Sequence, residues 1–180
     1  MQKRLRPIFI ALLAMAFSTL AVGQRTNVRF TVLLSSWDKQ NDTALFSLQA
    51  IDTAGTSSMV KGTCSRDGKC KIDLPLDQAY RLELAGTGHV PKHLILDLNG
   101  PTPKDRKWGY RMRITVKLMP RIKDVDYSIC ERPLGLSHFD HKDNQFVWDE
   151  RYSAELEPYY ETMQNQYLDA KAKQQEAPRP

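Results

Sequence analysis

The densest group of side chains able to bind a metal or move a proton lies near residue 140. His138 and His141 flank Asp140, and Asp143 follows closely. Imidazole and carboxylate groups suit zinc or a related metal. In an extended segment the two histidines point to opposite sides, so a turn is needed to join them, and Asp140, Asp143 and Asn144 equally suit a polar turn. His138 and His141 are therefore weak metal-ligand candidates, and we predict no metal and no cofactor.

Motifs for enzyme chemistry are missing from the sequence. It has no G-x-S-x-G elbow, no H-E-x-x-H helix and no glycine loop for phosphates. Ser35 and Ser36 lie near a predicted strand end, but no spacing joins them to a histidine. Cys130 stands beside Glu131, and a neighbouring carboxylate raises the pKa of a thiol rather than activating it. We expect a packed or free thiol at Cys130 and no enzyme activity. An intermolecular disulfide is the alternative, because the chain has an odd number of cysteines, three.

Three tryptophans could contact a sugar ring. Trp37 and Trp108 fall in predicted loops or strand ends, where binding residues concentrate, and Trp148 follows later. The alternative is that these rings cover the ends of a hydrophobic core. Trp37 and Trp108 are the candidate binding residues of this group.

A second aromatic group recurs at helical spacing, from Leu156 through Tyr160 and Met163 to Tyr167. It can pack on its own domain, dock into a partner's groove or self-associate. Short isolated helices are marginal without tertiary support, which favours packing on the domain. Tyr160 and Tyr167 remain candidate binding residues under the second alternative.

The chain begins with the pattern of a secretory signal peptide. Lys3, Arg4 and Arg6 precede the apolar run 8–20, and Ala21-Val22-Gly23 supplies small residues for cleavage. A membrane anchor is the alternative, but the run falls short of the ~20 apolar residues that a span requires. We therefore predict an exported protein with no span after cleavage, in the periplasm or else at the cell surface.

The charge balance excludes some partners. The formal net charge is +5, and without the three basic residues of the first 23 the balance is 23 basic against 21 acidic residues, or +2. This is too even to indicate nucleic acid or an anionic membrane as the partner.

Most of the remaining chain alternates apolar and polar residues, as half-buried strands do. The alternation is one-sided, which argues against a parallel sheet, and turn residues such as Asp67-Gly68 separate the runs. We predict an all-β fold, a seven-stranded antiparallel Greek-key sandwich of the Ig-like or transthyretin-like kind. The seven runs are Val28–Leu34, Phe46–Ala50, Val60–Cys64, Cys70–Leu74, Tyr80–Leu84, Leu94–Leu98 and Tyr110–Leu118.

The pattern changes after Pro120. The segment lacks clear periodicity and ends in an aromatic cluster, then a short helix follows in which Pro158 is tolerable near the first turn. The predicted divisions are a signal peptide at 1–23, the β-sandwich domain at 24–120, an extended aromatic segment at 121–152, a C-terminal helix at 153–173 and a disordered tail at 174–180.

Cys64 and Cys70 each fall on the apolar set of a predicted strand, on either side of the Asp67-Gly68 turn. They can therefore lie opposite each other at a distance that allows a disulfide. Two buried free thiols are the equal alternative.

The residues around these strands resemble a known family. Asp67–Leu74 resembles the D-G-x-(apolar)-x-(apolar) hairpin of carboxypeptidase-regulatory-like, or transthyretin-like, domains. Tyr80–Leu84 with Gly88–Leu96 is similar to the family's Y-x-L and G-Y-x-x-K segments, although His89 replaces the usual Tyr and Arg29-Phe30 stands where the first strand usually opens with Gly.

Such domains are common in envelope proteins of Bacteroidetes, and segments similar to 133–136 and 146–152 often follow them. The resemblance covers about residues 28–152. It implies a non-catalytic accessory or binding module and carries no catalytic residue over.

Three functions remain as hypotheses. The first is an envelope binding or assembly module whose partner is another envelope protein or a glycan. The second is a carbohydrate-binding module that uses the loop tryptophans. The third is a metal-dependent hydrolase around His138 and His141.

Overall fold

The computed structural model describes residues 26–38, 45–53 and 59–176, except the side chains of residues 107 and 108. The predicted signal peptide lies outside the described residues. The described part is mainly β, with two mixed sheets and one long C-terminal helix. Its ten strands are β1 (Asn27–Ser36), β2 (Phe46–Asp52), β3 (Met59–Lys61), β4 (Thr63–Cys64), β5 (Lys69–Pro75), β6 (Ala79–Gly86), β7 (Lys92–Asp97), β8 (Tyr110–Leu118), β9 (Leu136–Asp140) and β10 (Gln145–Trp148).

The strands form two sheets around one main core. The four-stranded sheet has the order β4-β5-β1-β8, and the six-stranded sheet has the order β10-β9-β7-β6-β2-β3. Inward-facing residues of the alternating runs fill the space between them, with Phe30, Leu82, Leu94 and Leu118 all 0% exposed. The one-sided alternation therefore marks the buried face of each strand.

The prediction of a purely antiparallel sandwich is wrong for two strand pairs. β1 pairs in parallel with β8, and β7 pairs in parallel with β9. Alternation tells which face of a strand is buried but not the direction of its neighbour. These partners are far apart in sequence, so no hairpin fixes their direction.

The strand count also exceeds seven. Gly62 divides the third predicted run into β3, which pairs with β2, and β4, which pairs with β5. A Cβ at Gly62 would lie 2.9 Å from Leu48 Cδ2 and 3.0 Å from the Lys71 carbonyl oxygen, so the chain crosses between the sheets where no side chain fits. The other two additional strands, β9 and β10, form an antiparallel hairpin within the segment predicted as extended.

The helix α1 (Glu150–Glu176) is longer than the predicted 153–173. It begins earlier because the Asp149 carboxylate accepts a hydrogen bond from the Tyr152 amide at 2.9 Å, as an N-cap residue does. Pro158 consequently lies inside the helix rather than near its first turn. Residues 174–176 of the predicted disordered tail are helical, and 177–180 lie outside the described residues.

A second, smaller core lies under the helix. Val90, Met119, Cys130, Met163 and Tyr167 are buried together there. No helix in the described part of the chain is both long and apolar enough to cross a membrane.

Candidate binding site

A groove lies between the outer face of the six-stranded sheet and the chain that follows β8. Its volume is about 640 Å³. One side is formed by outward-facing residues of β2 and β6, and the other by residues between 121 and 131. Because side chains alternate along β2 and β6, Leu48, Leu82 and Leu84 face the core, while Ser47, Gln49, Arg81, Glu83 and Ala85 line this groove.

The floor of the groove is a polar network across two strands. Gln49 Nε2 donates a 2.6 Å hydrogen bond to Glu83 Oε2, and Arg81 Nε lies 3.2 Å from Glu83 Oε1. Glu83 thus accepts a hydrogen bond from Gln49 and forms an ion pair with Arg81. His93, which pairs with Glu83 across the sheet, is 5% exposed, and burial followed by the Arg81 charge lowers its pKa.

Lys92 and Cys130 lie at the edge of the groove nearest the helix. Lys92 Nζ lies 5.1 Å from the centre of the Tyr160 ring and donates a 3.2 Å hydrogen bond to the Lys117 carbonyl. Burial lowers the pKa of Lys92 and raises that of Cys130. The Cys130 thiol is free and buried, and it donates to Met163 Sδ at 3.7 Å, so Cys130 is a packed thiol.

The aromatic stripe of the helix packs on its own domain. Tyr167 is 1% exposed in the second core, and Tyr160 is half-buried beside Lys92. The Tyr160 hydroxyl is buried with no hydrogen-bond partner in the described structure, and burial raises its pKa. Neither ring presents a free face like that of Tyr159, which is 58% exposed.

The three tryptophans have different surroundings. Trp37 is 37% exposed, and Lys117 Nζ lies 5.7 Å from its ring centre. Trp148 is half-buried and packs edgewise on Phe30 at 6.4 Å, at the border of the main core. The Trp108 side chain lies outside the described residues, so the pairing of Trp37 with Trp108 stays a prediction.

Ser36 and His89, which no sequence spacing joined, are in contact. His89 Nδ1 donates to the Thr87 carbonyl at 2.8 Å, which leaves Nε2 to accept from the Ser36 hydroxyl at 2.9 Å. Ser36 is 9% exposed and His89 8%. The hydrogen bond links the end of β1 to the turn between β6 and β7.

His138 and His141 do not form a metal site with their neighbours. His138 is exposed on β9, and His141 is exposed in the turn after it, edge-on to the Phe139 ring at 5.1 Å. Among the described residues, no three His, Cys, Asp or Glu side chains converge on a point that could hold an ion.

Cys64 and Cys70 are joined by a disulfide. They are directly opposite each other on β4 and β5, with Cα atoms 4.0 Å apart. The bond closes the hairpin at the edge of the four-stranded sheet.

Comparisons with known proteins give only remote structural likeness. No family model matches the chain, and no curated protein matches it. The Bacillus anthracis TIE protein matches 53% of this chain with 18% of its own, at 15% identity and a TM-score of 0.38. A DUF3823 family protein from Parabacteroides merdae matches 56% of this chain with 50% of its own, at 12% identity and a TM-score of 0.34.

A third structure, S.CueP, matches 53% of this chain with 64% of its own, at 12% identity and a TM-score of 0.33. The chain therefore spans less than two thirds of each of these three proteins. Similarity this low assigns the chain to no family.

Proposed function

We propose that this chain is a non-catalytic binding module of the bacterial cell envelope, and that its groove holds an extended segment of another envelope protein. The observation that carries the proposal is a groove lined by charges of both signs. Arg81 and Arg121 supply positive charge, while Glu83 and Glu131 supply negative charge. A polypeptide can form ion pairs with both signs, whereas a neutral glycan can only form hydrogen bonds with them.

The finer fold belongs to the same proposal. We assign the sandwich to the transthyretin-like Greek-key type on the motifs that resemble it. Asp67-Gly68 lies in the turn between β4 and β5, and Gly88 lies between β6 and β7, where the family has its hairpin and its G-Y motif.

Export is supported by the disulfide. Bonds such as Cys64–Cys70 persist in oxidising compartments and are rare in the cytosol. Together with the leader pattern this favours the periplasm, with the cell surface as the alternative.

A non-catalytic role is supported by the chemistry of the groove. Arg81 and Glu83 form an ion pair with each other, and neither Ser36 nor His89 is among the residues that line the groove. The metal-dependent hydrolase hypothesis gains no observation from His138 and His141.

Site-specific crosslinking in intact cells tests the groove. A photoreactive side chain replaces Ser47 or Ala85, which line it, and the matched control replaces Glu157, which is exposed on the helix. We expect one defined adduct with another envelope protein from both groove positions and none from the control. Charge reversal by Arg121→Glu should abolish that adduct. Recovery of monomer alone at native expression, or equal labelling from Glu157, would contradict the proposal.

Carbohydrate binding is the second candidate, favoured by the exposed ring of Trp37 beneath Lys117. A glycan array tests it with the variants Trp37→Ala and Trp108→Ala. Retained binding in both variants, or no binding by the unaltered protein, would rule it out.

A further inference from the structure

The outer face of the four-stranded sheet collects basic residues from three strands. The pairing register aligns Arg29 with Asp73 and Arg111, Thr31 with Lys71 and Arg113, Leu33 with Lys69 and Thr115, and Ser35 with Lys117. Paired residues share a face of the sheet, so these side chains form one surface, which we call the cationic face. All of them are exposed except Thr31, which is half-buried.

Little negative charge opposes these cations. The cationic face holds six basic residues and one acidic residue, Asp73, whose Oδ1 lies 2.9 Å from Arg29 Nε. Within the described structure the other five make no ion pair. Asp67 lies in the turn just before Lys69 and attracts that lysine. Its carboxylate also accepts hydrogen bonds from the Ser65 hydroxyl and the Lys69 amide. Five positive charges therefore remain for a partner.

The net charge of +2 that remains without the first 23 residues hides this concentration. The helix carries six acidic residues and only three basic ones. Charge is thus segregated between the helix and the cationic face, and a count over the whole chain cancels the two.

The shape and apolar content of the cationic face favour a membrane surface over a polymer chain. It is an open sheet surface about 30 Å long, as a ten-residue strand is. The groove described above lies on the other sheet and is therefore not part of the cationic face. Leu33 lies among the cations and Trp37 at one end, and each is 37% exposed. Tryptophan and apolar side chains beside lysine and arginine are typical of surfaces that enter the headgroup layer.

We propose that the cationic face docks on a membrane rich in anionic phospholipid. Arg29, Lys69, Lys71, Arg111, Arg113 and Lys117 contact the headgroup phosphates, and Leu33 and Trp37 enter the interface. The groove remains open on the opposite sheet, so this surface is independent of the function proposed above.

Vesicle cosedimentation tests the docking. Protein recovered from the exported fraction is mixed with vesicles of equal parts phosphatidylcholine and phosphatidylglycerol, or of phosphatidylcholine alone. We expect binding to the anionic vesicles only, weakened by salt. The variant with Lys71→Gln, Arg111→Gln and Arg113→Gln should bind on the order of 100-fold more weakly, since each basic residue near an anionic surface contributes a factor of about five.

The control variant carries Lys123→Gln, Lys142→Gln and Lys173→Gln, three exposed lysines outside the cationic face. It should bind as the unaltered protein does, and an equal loss in both triple variants would overturn the proposal. Unchanged thermal unfolding of both variants separates lost binding from lost folding.

A fluorescence measurement distinguishes a membrane from a soluble polyanion. Anionic vesicles should shift the tryptophan emission to shorter wavelength, and Trp37→Phe should remove the shift. Leu33→Ser should weaken vesicle binding while leaving retention on dextran sulfate unchanged. Tighter binding to dextran sulfate than to vesicles, without an emission shift, would overturn the membrane in favour of an acidic polymer.

Discussion

Serine and histidine often work together in catalysis, but the buried hydrogen bond between Ser36 and His89 joins two parts of the fold. We predict that Ser36→Ala lowers the free energy of unfolding by about 1–3 kcal/mol, because it leaves the buried Nε2 acceptor of His89 without a donor. Ser35→Ala is the matched control, since Ser35 is exposed on the same strand and should change stability by less than about 0.5 kcal/mol. Urea unfolding measures both, and equal effects would mean that the hydrogen bond does not stabilise the fold.

His93 gives the fold a pH dependence whose sign follows from its surroundings. Burial and the Arg81 charge lower its pKa below 6.5, against a smaller opposing effect of Glu83. The unfolded chain then binds a proton more readily than the folded protein, so stability is present above pH 6.5 and is lost as the pH falls below that value.

We predict that His93→Gln loses less stability than the unaltered protein between about pH 7 and pH 5. The measurement is urea unfolding across that range. The comparison concerns the slope with pH rather than the absolute stability of the variant. An equal slope in both proteins would show that another group causes the acid loss.

Contacts between individual side chains were the features least predictable from the sequence. Cys64 and Cys70 lie on the two strands of one hairpin, so their contact is local. For that reason the sequence identified them as possible partners. Ser36 and His89 are 53 residues apart, and only the joining of β1 to the β6–β7 turn brings them together. The groove was also missed, although the outward-facing charges of β6 are visible in its alternation.

Among the elements, the β4–β5 hairpin depends most clearly on one residue. Gly68 has a φ of +78°, and a Cβ there would lie 1.9 Å from the Leu34 carbonyl oxygen, so that oxygen and the added carbon would overlap. Its own carbonyl accepts a 2.8 Å hydrogen bond from the Leu34 amide, which fixes the close approach.

We predict that Gly68→Ala costs more than about 3 kcal/mol, since steric overlap adds to the cost of the left-handed backbone. Gly88→Ala is the control, because Gly88 has a φ of +74° but no atom within 4 Å of the added carbon. It should cost only about 1 kcal/mol. Thermal or urea unfolding of both variants measures the difference, and equal costs would exclude steric overlap as its cause.

The elements themselves were largely predictable from alternation. All seven alternating runs contain strands, because the alternate apolar side chains of each run lie in one core or pack against it. β9 and β10 were not predicted. In β10 the consecutive residues Phe146, Val147 and Trp148 are all half-buried, so the strand shows no period of two. The parallel neighbours of β1 and β7 depend on long-range packing that leaves no local pattern.

In the whole molecule, the helix forms part of the second core and also contacts the end of the four-stranded sheet. Tyr167 is buried in the second core beside Met119, which directly follows β8, and Lys171 Nζ lies 2.6 Å from Asp38 Oδ2 just beyond β1. These contacts tie the end of the helix to the end of the four-stranded sheet. The helix and the sandwich should therefore unfold together.

We predict that Tyr167→Ala lowers the free energy of unfolding of the whole protein by about 3–5 kcal/mol, as loss of a buried aromatic ring does. Leu168→Ala is the control, because Leu168 is the next residue of the helix and is 54% exposed. Helical circular dichroism and tryptophan fluorescence should follow one coincident transition in both variants, since Trp148 packs on Phe30 at the edge of the main core. If circular dichroism fell before fluorescence, or if Tyr167→Ala changed only the helical signal, the helix would be a separately unfolding unit and the second core would not couple it to the sheets.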